Sequence, residues 1–242
     1  MSVLTDWYWR AVVTASYVGA RFRKLPKRYS RVCNICGYEG PFGPAGKGAR
    51  NDAKCPRCNS AERYRLFKLW LDRKPDTVAD RDVLHFAPEK SLGALIKPLA
   101  RTYHTADISP GRADMVLDIE AIDLPDASYD AVIASHVLEH VDDRKALSEI
   151  FRVLRPGGVA IIMVPIVEGW AQSYENAAVR SPEERTLHFG QFDHVRYYGA
   201  DLRERIRTAG FSLAEFTAEG ADVLRYGLIR GEKVFIATRM GA

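Results

Sequence analysis

The sequence predicts an α/β protein: a seven-stranded, mainly parallel sheet with helices on both faces, preceded by a small cysteine-bearing ribbon. Three observations lead there. From Ser60 onward, short apolar runs alternate with segments of helical periodicity, the pattern of a parallel sheet covered on both sides. All four cysteines, at positions 33, 36, 55 and 58, lie ahead of that region in a Gly/Pro-rich stretch too short to bury a core of its own. The polar residues with chemistry to offer (His85 to Glu89, Asp107, Asp118, Ser135 to His140) fall just past predicted strands, where open parallel sheets bind ligands.

Taken in order, the chain divides into an aromatic and then basic segment (1–31), the cysteine segment (32–59) and the α/β region (60–242), with no internal repeat. Asn59 with Glu62 reads as a capping box, and Leu66, Phe67, Trp70 and Leu71 follow as one apolar helical stripe. Strands are expected at about 83–87, 102–107, 115–118, 130–135, 159–164, 211–217 and 233–238. Helices are expected at about 91–100, 143–154 and 200–209, the second ended by Arg155-Pro-Gly-Gly because proline cannot continue the hydrogen-bond ladder. Residues 166–198 form a long, weakly periodic connection, a length that favours a lid or binding segment.

With 242 residues, 47% hydrophobic and 27% charged, the chain has the composition of a soluble globular protein. Asp6 and Arg10 interrupt the apolar start, so neither a cleaved leader nor a membrane span is expected and the reading is cytoplasmic. The net charge of +4 is uneven: residues 1–64 hold 12 Lys/Arg against 4 Asp/Glu. Trp7, Tyr8, Trp9 and Tyr17 ahead of Arg21, Arg23, Lys24, Lys27 and Arg28 leave three readings open. They are an arm packed on the α/β domain, a peripheral contact with an anionic membrane, or an RNA-binding segment.

Cys33-Asn-Ile-Cys36 and Cys55-Pro-Arg-Cys58 have the C-x2-C spacing with which two tight turns bring four thiolates to one Zn2+. Four protein ligands close the coordination sphere, so the expected role is structural. Arg31, Lys54 and Arg57 would offset the thiolate charge, which weakens a nucleic-acid reading of the basic patch.

After the first strand of the α/β region the turn reads Ala87-Pro88-Glu89, without glycine. A dinucleotide needs glycines and free N–H groups for its pyrophosphate; Pro88 removes a donor and Glu89 adds a negative charge. S-adenosylmethionine carries no phosphate and presents an ammonium group, which suits Glu89. Asp107, at the next strand end, suits the ribose hydroxyls, and Asp118 with the Ile119 backbone suits the adenine edge. An Asp after a strand is by itself more often a turn residue, so it is the joint placement that counts.

Leu124 to Pro165, with its "HVLEHV" and "RVLRPGG" runs, resembles the fourth-to-fifth-strand region of class I S-adenosylmethionine-dependent methyltransferases. The resemblance covers roughly Ser60 to Ala242 and implies a Rossmann-like seven-stranded sheet whose last strand runs antiparallel. "CPRCNSAERYR", "VLHFAPE" and "FGQFDHVRYYG" together are similar to a bacterial subgroup with an N-terminal zinc ribbon. His85 stands where the wider family has an acidic residue, and Ala87 and Pro88 stand where it has glycines. By the same resemblance Ser135 and His136 line the cofactor, while Glu139 and His140 hold the loop.

Methyl transfer is an in-line displacement for which the protein aligns the acceptor and removes a proton, and His136, His140 and His194 are the candidate bases. Within "HFGQFDHVRYYG", His194 would lie near the methyl group, oriented by Asp193, with Arg196 holding an anionic or polar substituent; a loop bonded to itself is the plainer reading. The acceptor expected is a small molecule or glycan. The competing functions are an rRNA or tRNA methyltransferase using the ribbon for RNA, and a non-catalytic binding protein of the same fold.

Overall fold

A computed structural model describes residues 30–45 and 50–241, together with positions 11 and 15. The arm, membrane and RNA readings of the N-terminal segment therefore fall almost entirely outside the described residues. The chain clusters into two compact units, Met1–Arg65 with Glu219–Arg230, and Leu66–Ala218 with Gly231–Ala242. Glu219–Arg230 clusters with the cysteine-bearing first unit.

In the first unit, β1 (Arg31–Val32) pairs antiparallel with β2 (Glu39–Gly40), and β3 (Gly43–Ala45) pairs antiparallel with β4 (Arg50–Lys54). Each C-x2-C pair sits on a turn of the same build. Gly37 donates to the Cys33 carbonyl and Asn59 to the Cys55 carbonyl, both at 2.8 Å. Gly37 and Asn59 occupy matching positions with φ of 70° and 58°, a left-handed conformation that these two residue types tolerate best. The apolar cluster here is small, with Cys33, Phe42 and Cys55 buried and Ile35 and Tyr38 against them.

Helix α1 (Glu62–Arg73) follows, with Leu66, Phe67, Trp70 and Leu71 buried as the stripe predicts. The expected capping box is not what starts it. The helix begins at Glu62 itself, whose carboxylate takes the Arg50 guanidinium at 2.9 Å instead of reaching back to Asn59.

The second unit continues with β5 (Asp82–Phe86), α2 (Lys90–Ile96), β6 (Thr102–Asp107), β7 (Met115–Val116), β8 (Tyr129–Ser135), α3 (Asp143–Val153) and β9 (Leu154–Met163). Then come β10 (Tyr174–Glu175), α4 (Pro182–Phe189), β11 (Arg196–Tyr197), α5 (Leu202–Thr208) and β12 (Phe211–Thr217). Helix α6 (Gly220–Tyr226) belongs to the first unit, and β13 (Lys233–Arg239) closes the sheet.

The seven-stranded sheet has the order β12-β13-β9-β8-β5-β6-β7. Strand β13 is antiparallel to β12 and β9, and the remaining pairs are parallel. Val83 to Phe86 and Ala131 to Ser135 are buried without alternation, which requires cover on both faces of the sheet. The core runs from Leu84, Val132 and Ile162 to Leu147 and Ile150 of α3 and Ile206 of α5.

Helix α3 stops at Val153, earlier than proline alone requires, and β9 starts at once with Leu154 paired to Tyr129. Arg155 to Gly158 are absorbed in a bulge before Ala131 pairs with Val159. The bulge needs its glycine: a Cβ on Gly158 would meet the Arg155 carbonyl oxygen at 2.8 Å and that of Asp130 at 3.0 Å. At this end of the sheet, Arg101 and Arg155 bridge Asp82 and Asp130 at 2.6 to 2.9 Å. Hydrogen bonding by Arg101 holds the Asp82 carboxyl well below the usual carboxylate range.

The connection 166–198 is more ordered than its weak periodicity suggests. Ser181 and Glu184 form a reciprocal capping box for α4, Pro182 sits in its first turn, and Gly190 ends it in the left-handed conformation. Strands β10 and β11 pair antiparallel across it.

Candidate functional site

The parallel strands leave β5 in both directions, to β6 and β7 on one side and to β8 and β9 on the other. The chain order reverses between β5 and β8, the point at which open α/β sheets bind ligands beyond the carboxyl ends of the strands. Register puts the predicted residues at one level. Phe86 pairs with Ala106 and with Ala134, so Ala87, Asp107 and Ser135 are the next residues of three adjacent strands.

The loop turns without glycine by forcing Ala87 into a φ of 46°, while its N–H still reaches the Ala106 carbonyl at 2.8 Å. His136 after β8 has a φ of 56°, with its N–H on the Met163 carbonyl at 2.7 Å. Two strained residues on adjacent strand ends are the kind of conformation that functional sites retain.

Glu89 lies between two side chains: its Oε1 accepts from Ser135 Oγ at 3.3 Å, and its Oε2 is 3.6 Å from His85 Nε2. His85 is fully buried, so it supports Glu89 from below. Its Nδ1 is 2.8 Å from the Tyr103 hydroxyl. Burial pushes that phenol up to about 12. Tyr103 was not foreseen; the room for it comes from Gly93, where a Cβ would meet its hydroxyl at 2.8 Å.

Asp107 is half-buried and accepts from the Ser109 N–H at 2.7 Å. Asp118 is exposed and accepts from the Glu120 N–H at 2.9 Å, beside the buried Ile119. Both make the local turn bonds expected of aspartates after strands, and both stand on successive strand ends.

Past β8, His136 Nδ1 is 3.1 Å from Glu139 Oε1 on the short 3-10 turn Leu138–His140. The His140 and His194 rings meet edge to face at 4.7 Å between centroids. Asp193 does not orient its neighbour His194: its Oδ2 faces His140 Nδ1 at 3.4 Å. His194 is buried, and desolvation lowers its pKa below the ordinary value.

Arg196 is buried with its Nη1 donating to the Leu138 and Val141 carbonyls at 2.8 and 2.5 Å. The Tyr198 hydroxyl, fully buried, is 3.0 Å from both the Leu138 carbonyl and Asp143 Oδ2. Arg205 adds a bond to Asp143 at 3.1 Å and an ion pair to Glu175 at 2.5 Å. Arg196 and Tyr198 thus clamp the turn that carries Glu139 and His140 onto the segment that carries His194. A cleft of about 540 Å³, lined by His140, Asp143, Glu175, Arg196 and Arg205, opens beside the clamp.

In the first unit, the four sulfurs lie within 4.8 Å of one another, with Cys33–Cys58 and Cys36–Cys55 both at 3.6 Å. Four Zn–S bonds of about 2.3 Å in a tetrahedron set the sulfurs about 3.8 Å apart, so the donor set fits that ion. Burial pushes Cys36 up to about 12 and also raises Cys55. Burial opposes ionisation of Cys33 as well, but hydrogen bonds from Ser60 and the backbone outweigh it and bring that thiol down to about 7.

The cation buried against these sulfurs is Arg65, which sequence reasoning missed in favour of Arg31, Lys54 and Arg57. Its guanidinium donates to the carbonyls of Tyr226, Ser60, Ala53 and Gly227 at 2.5 to 2.9 Å. It also stacks over Phe42 at 4.5 Å.

Comparison with known proteins agrees with this geometry. Residues 93–162 match a family model described as a methyltransferase domain. A probable S-adenosylmethionine-dependent methyltransferase of Mycolicibacterium smegmatis is 33% identical over 165 residues, covering 63% of this chain and 60% of that protein. An O-methyltransferase of Aspergillus nomiae is 33% identical over 124 residues, covering 49% and 51% of the two chains. The chain thus spans between about half and three fifths of the length of these relatives. The crystal structure of a Mesorhizobium loti S-adenosylmethionine-dependent methyltransferase superposes with a TM-score of 0.53 at 14% identity, over 72% of this chain and 97% of that one.

Strand order and the antiparallel final strand are those of the class I S-adenosylmethionine-dependent methyltransferase fold, and residues 93–162 match a methyltransferase domain. More particularly, the chain joins this fold to a four-cysteine cluster of zinc-ribbon type. No described helix is long and apolar enough to cross a membrane.

Proposed function

We propose that the protein transfers a methyl group from S-adenosylmethionine to a small-molecule or glycan-type acceptor. The observation that carries this reading is the level set of Ala87, Asp107 and Ser135 at the switch point, with Glu89 hydrogen-bonded by Ser135 and Asp118 one strand further out. When bound, the cofactor supplies a methyl carbon activated by a sulfonium. Glu89, held by Ser135 and His85, receives the ammonium group. Asp107 accepts from the ribose hydroxyls, and Asp118 with Ile119 borders the adenine. His136, strained onto the end of β8, faces the reacting end.

Arg196 is a positioning residue in this reading, because its guanidinium is committed to two carbonyls and to the acidic network of Asp143 and Glu175. The four cysteines hold a structural Zn2+, with Arg65 compensating part of the thiolate charge. The O-methyltransferase relative supports a hydroxyl acceptor.

Titration calorimetry with S-adenosylmethionine tests the reading. The wild type is expected to bind, and Asp107→Ala to lose binding while keeping its circular dichroism. Absence of binding by the wild type at millimolar cofactor removes the enzyme reading. Wild-type affinity in Asp107→Ala removes the ribose assignment. Tight RNA binding with a steep salt dependence would shift the acceptor to RNA.

A further inference from the structure

We propose that Glu139, His140 and His194 form a second metal site, separate from the four cysteines, that takes one divalent transition ion such as Zn2+. One ligand atom from each lies within 4.8 Å of the others. Donors of a tetrahedral ion with bonds of about 2.1 Å stand about 3.4 Å apart, so side-chain adjustments of up to about 1.4 Å close the set.

The buried atoms have the appearance of a site that is short of a partner. Glu139 is 1% exposed and His194 is 9% exposed, yet Glu139 Oε2 and His194 Nδ1 have no hydrogen-bond partner. Buried polar atoms in folded proteins are nearly always paired, so an orphaned atom on each of two residues of one such group indicates a missing ligand. A cation is what a carboxylate oxygen and an imidazole nitrogen can both donate a lone pair to.

The surroundings supply the outer support that metal ligands require. His136 Nδ1 holds Glu139 Oε1 at 3.1 Å, which leaves Oε2 for the ion. Asp193 Oδ2 faces His140 Nδ1 at 3.4 Å, the carboxylate–histidine arrangement that turns the other ring nitrogen toward a metal. Arg196 and Tyr198 fix the Leu138–His140 turn to the strand after His194, and Val195 N–H bonds the Glu139 carbonyl at 2.9 Å. This explains why a buried arginine and a buried tyrosine are spent on backbone carbonyls.

Three protein ligands leave coordination positions open for water or an incoming oxygen. Where the methyltransferase reading holds, the acceptor class this favours is a hydroxyl compound that binds the ion through oxygen. The site itself does not depend on that reading.

The test counts zinc in the full-length protein after equilibration with excess zinc chloride and gel filtration. Wild type is expected to retain one zinc per chain more than Glu139→Gln and His194→Ala, all three having intact cysteines. Equal zinc in the three proteins overturns the site. Zinc-edge X-ray absorption of the wild type decides the matter independently of variant folding: nitrogen and oxygen scatterers beside sulfur are expected, and a shell of sulfur alone overturns it. Cofactor binding without the extra zinc refutes this site alone, and the extra zinc without cofactor binding refutes the methyltransferase reading alone.

Discussion

Replacing Arg65 with methionine isolates what holds the cysteine unit together besides metal. Methionine preserves a flexible stem of similar length and removes donors to four carbonyls, those of Ala53, Ser60, Tyr226 and Gly227. Hydrogen bonds from a charged donor contribute about 1.5–3 kcal/mol each. Their sum overstates the loss, because burying the guanidinium has its own desolvation cost. Deleting one partner of a buried charged network costs about 3–5 kcal/mol, and that is the expected destabilisation.

It is comparable with the whole net stability of a small unit, about 5–15 kcal/mol in ordinary domains. Urea unfolding followed by far-UV circular dichroism, with zinc release read by a chromophoric chelator, measures it. Release is expected at much lower urea in Arg65→Met. Arg65→Lys should fare little better, since one ammonium cannot span four carbonyls. If Arg65→Met unfolds within about 1 kcal/mol of the wild type, and its zinc release midpoint is unmoved, then the guanidinium is not what joins these strands.

Other perturbations bear on the second unit. Asp82 and Asp130 have lowered pKa values: Arg101 hydrogen bonding leads for Asp82, and bonds from the Asp82 N–H and Arg155 overcome burial for Asp130. Their contribution is therefore complete above the unfolded carboxylate range of about 4 and is lost as pH falls toward the folded values, so urea midpoints of wild type and Asp82→Asn should converge below about pH 4 and stay apart at pH 7. Tyr198→Phe removes the bonds to Leu138 and Asp143 and should cost about 1–2 kcal/mol by the same unfolding assay; no loss would mean the clamp is held by Arg196 alone. Ala87→Gly relieves a left-handed alanine worth about 1–2 kcal/mol, offset by the freedom glycine gains when unfolded. A net gain of about 0.5–1 kcal/mol in thermal unfolding is expected, and a clear loss would show that the alanine methyl packs usefully.

The periodic parts of this fold were legible because burial on a sheet writes itself into runs of apolar residues. Strands 102–107 and 211–217 fall where they were expected, and 233–239 misses by one residue. Helix α4 was overlooked for a physical reason: Phe189 is its one buried residue and Leu187 is 82% exposed, so there is no apolar stripe to read. Its signal lay instead in Ser181-Pro-Glu-Glu and Gly190, the cap residues at its two ends.

The strand-tip carboxylates and the cysteines were legible from spacing, because neighbours at a strand end or in a tight turn are close by construction. Tyr103, Arg65 and Tyr198 were not. They act on residues 18, 161 and 60 positions away, respectively, and no local pattern announces such pairs. The role of Asp193 went wrong for the same reason: adjacency in sequence suggested His194, whereas the loop path delivers it to His140.

The cysteine unit draws on two stretches of chain, with the second, Glu219–Arg230, beginning more than 150 residues after the first has ended at Arg65. At ribosomal rates of about 5–20 residues per second, roughly 8 to 30 s pass between the synthesis of the two. During that interval the guanidinium of Arg65 lacks the Tyr226 and Gly227 carbonyls. The cysteine segment is thus completed only after the strands between its two stretches have been made, and a nascent chain or a truncation ending before Glu219 would present an unfinished thiol cluster to any metal or oxidant nearby.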